Sequence, residues 1–342
     1  MLADQLDFVI GVDSHSDRHA LCVLAASGEI VGEQELPAEA AGYRQALRLA
    51  ERQAPGRRLW AIEGTGCYGA GLARFLAGHG ERLREVERPL RTGSRGRLKS
   101  DPLDALRAAR LLLSGQPLAQ PRRGKQREAL RALLTTREGA VAVRRAGLCQ
   151  LRSLLVLLPE PRRGQLRGLT RGRLLTRCAN LRPRPGAGQL LALRSLARRI
   201  LAADQEAAEL EREISQHVRR IAPALLDQHG IGPITAAQLL ISWSHRGRIR
   251  NEAAFARLAS AAPIPASSGN RSRHRLDRGG DRQLNRALHT IILARRKHDP
   301  TTIAYIDRRQ QEGKTPREAI RCLKRYLARS LYRLPEATPS TA

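Results

Sequence analysis

Four carboxylates in the first third of the chain stand where a metal site for phosphodiester chemistry would need them. Asp13 closes the apolar run Val9-Ile10-Gly11-Val12, and Glu63 closes Leu59-Trp60-Ala61-Ile62 ahead of the turn Gly64-Thr65-Gly66. Asp101 and Asp104 follow in Lys99-Ser100-Asp101-Pro102-Leu103-Asp104-Ala105, three residues apart at a helix start. Acids at the ends of two buried strands and on one helix face supply hard oxygen donors for a pair of Mg²⁺ ions. Held about 3.5–4 Å apart, such a pair clamps the attacking and leaving oxygens of a displacement at phosphorus. The chemistry this implies is the cutting or rejoining of nucleic acid.

Each acid also has a plainer reading. Asp101 before Pro102 is a good N-cap with proline in the first helical position, and Asp104 then falls where an acid suits the helix dipole. Asp13 alone could close a turn, Glu63 could be a surface residue beside a bend, and Asp17 and Glu29 compete for assignment. Taken together the four favour a metal site, because the two strands would be sheet neighbours with the helix packed across them.

A second constellation lies near the C-terminus. Ser268 stands beside Gly269 in Ala262-Pro263-Ile264-Pro265-Ala266-Ser267-Ser268-Gly269-Asn270, a stretch that reads as irregular loop. Arg271, Arg273, Arg275, Arg278 and Arg282 follow, and their charge suits phosphate contacts. A serine hydroxyl there can attack phosphorus if its proton is removed and the developing charge neutralised. An ordinary Ser-Ser-Gly loop fits the spacing as well, and Ser267 competes for the role. His274 could move a proton. Further upstream, Gly230 and Gly232 in His229-Gly230-Ile231-Gly232-Pro233 either bring backbone N–H groups to a phosphate at a helix N-terminus or simply make a tight turn.

Composition sets the partner. Lys plus Arg number 61 against 32 acids, a formal charge of +29 on 342 residues, and all but 5 of the cations are arginine. Such a surplus draws a polyanion by counterion release. The arginine excess itself could reflect codon usage. Aromatics are only 3%, which argues against base-stacking platforms as the main contact. The five cysteines (Cys22, Cys67, Cys149, Cys178, Cys322) are scattered without paired spacing, as expected for reduced thiols and not for a zinc site. The start Met1-Leu2-Ala3-Asp4 lacks a signal-peptide pattern, and no apolar run approaches the roughly 18–20 residues of a membrane span. The expectation is a soluble, cytoplasmic polyanion binder with no membrane partner.

The elements that must position these residues follow from hydrophobic period. Phe8–Val12, His19–Leu24, Glu29–Leu36, Arg57–Ile62 and Arg82–Glu87 read as strands, the second and third as a hairpin around Ser27-Gly28. Gly42–Gln53, Cys67–His79 and Asp101–Ser114 read as helices. A leading hairpin followed by alternating helices and strands fits an α/β ribonuclease H-like (RuvC-like) sheet. From residue 126 the pattern turns to long helices. Leu148, Leu151, Leu155 and Leu158 form one stripe; Leu196, Ile200, Leu210, Ile214, Val218, Ile221 and Leu225 form another, with a gap around Ala203. They suggest an antiparallel hairpin or coiled coil, used for core and oligomer contacts. Pro159–Gln189 between them reads as a basic, partly ordered crossover. Ala253–Leu258, Leu284–His298 and Thr315–Leu334 are the later helices.

The sequence resembles the insertion sequence one-hundred-and-ten family of transposases over nearly its whole length. The segments that carry the resemblance are Gly-Val-Asp-Ser-His at 11–15, Ile-Glu-Gly-Thr-Gly-Cys-Tyr-Gly at 62–69 and Lys-Ser-Asp-Pro-Leu-Asp-Ala at 99–105. Gly-Ile-Gly-Pro at 230–233, Ala-Pro-Ile-Pro-Ala-Ser-Ser-Gly at 262–269 and the run 273–290 complete them; their order and spacing are specific, and 159–188 matches least. The resemblance implies a RuvC-like domain over 1–125 with an Asp-Glu-Asp-Asp Mg²⁺ site at Asp13, Glu63, Asp101 and Asp104. It implies a helical, coiled-coil connector over 126–222 and a mostly helical transposase domain over 223–342. Ser268 would be the nucleophile, because the family serine directly precedes a glycine. It further implies homodimers pairing as tetramers, with acids and serine from different subunits, recombining donor and target DNA under a structured non-coding guide RNA. Two rivals stand beside it: a metal-dependent junction nuclease in which Ser268 is structural, and an inert nucleic-acid-binding remnant.

Overall fold

The computed structural model describes residues 6–86, 101–115, 118–265, 274–275, 277 and 279–337. The chain opens with β1 (Phe8–Ser14), β2 (Arg18–Ala25), β3 (Ile30–Pro37), α1 (Ala40–Gln53), β4 (Arg58–Glu63), α2 (Ala70–Gly78), β5 (Leu83–Val86) and α3 (Asp101–Leu113). Helices follow: α4 (Lys125–Val156), α5 (Arg162–Arg167), α6 (Arg171–Ala179), α7 (Gly188–Ile221), α8 (Pro223–Leu226), α9 (Pro233–Trp243) and α10 (Glu252–Leu258). After the short strands β6 (Ile264–Pro265) and β7 (His274–Arg275) come α11 (Arg282–His298), α12 (Pro300–Gln311) and α13 (Pro316–Ala337). These elements divide into two units, 1–124 with 243–280, and 125–242 with 281–342.

The first unit is built on a five-stranded mixed sheet in the order β3-β2-β1-β4-β5. The hairpin β2–β3 and the pair β1–β2 are antiparallel; β4 lies parallel to β1 and β5 parallel to β4. This arrangement is compatible with a ribonuclease H-like fold. The central strands are apolar on both faces because helices cover both. On one face Ile10, Val12, Trp60 and Ile62 pack with Leu49 of α1 and Leu72 and Leu76 of α2. On the other Val9, Leu59 and Ala61 pack with Ala105, Ala109 and Leu112 of α3. α2 begins three residues later than the sequence suggests, because 64–69 is taken up by a turn in which Gly64 has φ +69 and its carbonyl accepts from Cys67 and Gly69 N–H.

In the second unit α4 and α7 run antiparallel, since Arg137 pairs with Glu211 (2.7 Å) and Arg144 with Asp204 (3.0 Å). Leu151, Leu196, Ile200, Ile214 and Val218 are buried along the seam. The gap in the apolar stripe is filled by buried Ala203 and Ala207, small residues that belong to the core all the same. The expected crossover 159–189 contains two helices instead, because Leu166, Leu175 and Cys178 give α5 an apolar face toward α4 and α6 one toward α7. α12 was also not evident from sequence; Asp299 caps it, its carboxylate accepting from Thr302 N–H. No helix among the described residues is long and apolar enough to cross a membrane.

Candidate active site

β1 and β4 end side by side. Their paired register runs to Val12 opposite Ile62, so Asp13 and Glu63 are the next residues along two parallel strands. Side chains alternate across a strand. Val12 and Ile62 face α1 and α2, so the two acids face α3. Both are buried, Asp13 at 3% and Glu63 at 9% exposure. The Ser14 hydroxyl donates to the Glu63 backbone carbonyl at 2.7 Å and ties the two strand ends together.

α3 is held unusually close to β1. A Cβ placed on Gly11 would lie 2.0 Å from the Ala105 carbonyl oxygen and 2.7 Å from the Ala109 nitrogen, so only glycine permits this approach. Asp104 stands one residue before Ala105, and Asp101 opens the same helix, its side chain lying outside the described residues. Asp104 takes a guanidinium bond from Arg107 at 2.5 Å. On the sheet side the His15 ring sits 3.1 Å from the Asp13 carboxylate.

The electrostatics show how these groups crowd. Burial pushes the Asp13 carboxyl above its ordinary value, His15 opposes that, and the charges of Glu63 and Asp104 push it further up. The charges of Glu63 and Asp104 thus reach Asp13 across the α3 face of the sheet. Among the described residues no three acid, histidine or cysteine side chains close into a ready-made metal cage. The donor set nonetheless suits a hard divalent cation: all are oxygens, two are buried, and a cation between them would relieve their mutual repulsion.

The second constellation is only partly placed. Ser267, Ser268, Arg271, Arg273 and Arg278 lie outside the described residues. Arg275 belongs to β7, which pairs antiparallel with β6, Pro265 opposite His274; the stretch read as irregular thus includes one short strand. Arg282 is the exposed first residue of α11, whose cap Asp281 accepts from Gln283 and Leu284 N–H. Gly230 has φ +76 and packs against α11, where Arg295 donates to the His229 carbonyl at 2.8 Å. The Gly232 N–H and carbonyl both engage the Thr235 hydroxyl at the start of α9.

Sequence reasoning missed Gly11 and His15 as parts of the site. His15 carried a signal in its period, two residues after Asp13 and so on the same side of an extended chain. Gly11 carried none that distinguishes a packing glycine from any other.

Comparison with known proteins now adds to this geometry. A transposase model of the IS110 DEDD type matches residues 10–158, which contain all four acids, and the transposase model IS116/IS110/IS902 matches 222–307, which contains Ser268. The chain belongs to the IS110 family of transposases. Transposases as a class are DNA-cutting and rejoining enzymes. The chain is 34% identical over 146 residues to the insertion element IS110 uncharacterized 43.6 kDa protein of Streptomyces coelicolor, covering 41% of this chain and 36% of that protein. It is 28% identical over 337 residues to the insertion element IS900 uncharacterized 42 kDa protein of Mycobacterium paratuberculosis, covering 90% and 82%.

Proposed function

We propose that this protein is the transposase of an insertion sequence, recombining donor and target DNA through its four acids and a serine nucleophile. The observation that carries the reading is the convergence of Asp13, Glu63 and α3 on one face of the sheet, inside a chain of net charge +29. Asp13, Glu63, Asp101 and Asp104 would hold Mg²⁺, two ions in the favoured arrangement, which when bound would polarise the scissile phosphate and offset the charge built up at phosphorus.

The chain's own groups do the rest. The close seat of α3 fixes the helix acids against the strand acids, and His15 orients one Asp13 oxygen. The Ser268 hydroxyl attacks phosphorus: a serine O–P bond forms, one DNA P–O bond breaks, and the serine proton ends on the departing strand oxygen. The phosphoserine link conserves the bond energy, so a free strand hydroxyl can later reverse the step without a nucleotide cofactor. Arg271, Arg273, Arg275, Arg278 and Arg282, with the Gly230 to Gly232 turn, would carry phosphate contacts. The excess charge suits two polyanions, DNA and a structured non-coding guide RNA. A homodimer that pairs as a tetramer would bring acids and serine together, through the paired helices 126–222 that link the catalytic regions 1–125 and 223–342.

A trapping assay tests this. Purified protein, Mg²⁺, the element's flanking transcript and labelled donor and target DNA are mixed, denatured and examined for covalent protein–DNA adducts. The expected result is an adduct with wild type that is absent in Ser268→Ala and in Asp104→Ala. Strand breaks without adduct, retained in Ser268→Ala, would overturn the serine step in favour of a junction nuclease. Binding with steep salt dependence but no breaks would mark an inert remnant.

A further inference from the structure

The segment 243–280 belongs by sequence to the C-terminal third but is part of the sheet-bearing unit. What seats it there is a buried charge cluster. Glu85, on the edge strand β5, meets Arg248 at 3.1 Å, and their side chains are 8% and 3% exposed. Arg122 reaches the other Glu85 oxygen at 3.7 Å. The same Arg122 lies against Gly66, in the turn that follows Glu63; a Cβ on Gly66 would be 3.2 Å from its Nη1. Two further links reinforce the seat. The Arg123 N–H donates to the Ser244 hydroxyl at 3.3 Å while that hydroxyl lies 3.4 Å from the Arg123 carbonyl. Ser244 itself holds φ 74, a left-handed conformation that a non-glycine residue adopts only when its surroundings impose it. The return path is fixed as well, since the Gly280 N–H donates to the Ser260 hydroxyl at 2.8 Å.

We propose that Glu85, Arg248 and Arg122 are positioning residues that lock residues 243–265 onto the β5 edge of their own chain. The lock fixes the described chain on both sides of the stretch that carries Ser268. A greasy contact would tolerate sliding. A buried carboxylate and guanidinium do not, because separating them breaks an ion pair whose two charges are already desolvated. Arg122 extends this register to the Glu63 turn, so one carboxylate links the segment to the end of the strand that carries a site acid. The docking stands on the geometry alone; its consequence for catalysis rests on the proposed serine chemistry.

Hydrogen exchange and adduct trapping on the full chain test the two parts separately. Glu85→Gln and Arg248→Met are compared with the double variant, in which neither charge is left buried and the fold is kept. The expected result is at least a tenfold faster exchange of 243–262 in the double variant, with 8–63 and 125–156 unchanged, and partial recovery in Arg248→Lys. Adduct yield should fall about tenfold in parallel, while DNA binding stays within about twofold. Unchanged exchange of 243–262 would overturn the lock. So would faster exchange spread evenly over 8–63, which would mark general loosening. Wild-type adduct yield from a loosened segment would overturn the positioning role. Absence of adduct in the wild type itself would instead count against the serine reading, and exchange would still decide the docking.

Discussion

Replacing Gly11 with alanine tests whether the approach of α3 to β1 builds the site. The added methyl would sit 2.0 Å from the Ala105 carbonyl oxygen, 2.7 Å from the Ala109 nitrogen and 2.9 Å from the Ala109 Cβ. Carbon does not approach a carbonyl oxygen closer than 3.0 Å, so α3 must retreat by about 1 Å or β1 must bend. Overpacking of this kind costs about 1–3 kcal/mol. For a unit of this size that lowers the melting temperature by about 2–4 °C per kcal/mol. The catalytic loss should be larger. Asp104 stands next to the displaced Ala105, and a misplacement of about 1 Å at a reacting centre can cost about 10²-fold in rate. Two measurements check this: thermal melting of the purified chain, and the initial rate of Mg²⁺-dependent DNA cleavage. Since the worst contact is with backbone, Ala109→Gly in the same chain should not rescue the rate. Wild-type melting together with wild-type cleavage in Gly11→Ala would refute the argument that glycine is required for this seat.

Three further outcomes follow from the geometry. Asp13→Asn removes the buried carboxylate that Glu63 and Asp104 repel, so metal-free melting at neutral pH should match or exceed wild type while stabilisation by Mg²⁺ disappears; a lower metal-free melting temperature would count against the crowding. Burial raises the Glu81 carboxyl, but bonds from Arg58 and Trp60 outweigh it and hold the carboxyl below its ordinary 4.5. Its contribution is therefore present above that value and fades as the pH falls below it, and Glu81→Gln should flatten the acid limb of a melting-versus-pH curve. Ile200 is fully buried between α4, α6 and α7, so Ile200→Ala should cost about 2–5 kcal/mol of stability in a denaturant titration. A loss under about 1 kcal/mol would mean that the seam collapses around the cavity.

Sequence alone determined the elements whose signal is local. Strands β1 and β4 were legible because each is an apolar run that ends in an acid, and α3 because Asp101 and Pro102 make a helix start. The hairpin β2–β3 followed from Ser27-Gly28 between two alternating runs, and α4 and α7 from leucine and isoleucine at helical spacing. The family was legible from the order of short motifs. The tertiary structure decided what lies across the chain. It set how closely α3 sits on Gly11 of β1 and filled the stripe gap with Ala203 and Ala207. It turned 159–189 into helices, because Leu166 of α5 and Leu175 and Cys178 of α6 are buried in the core that α4 and α7 share. Above all it joined Glu85 to Arg248, 163 residues apart. No periodicity encodes such a partner: a charge in a sequence gives its sign, and only the fold shows which opposite charge shares its burial.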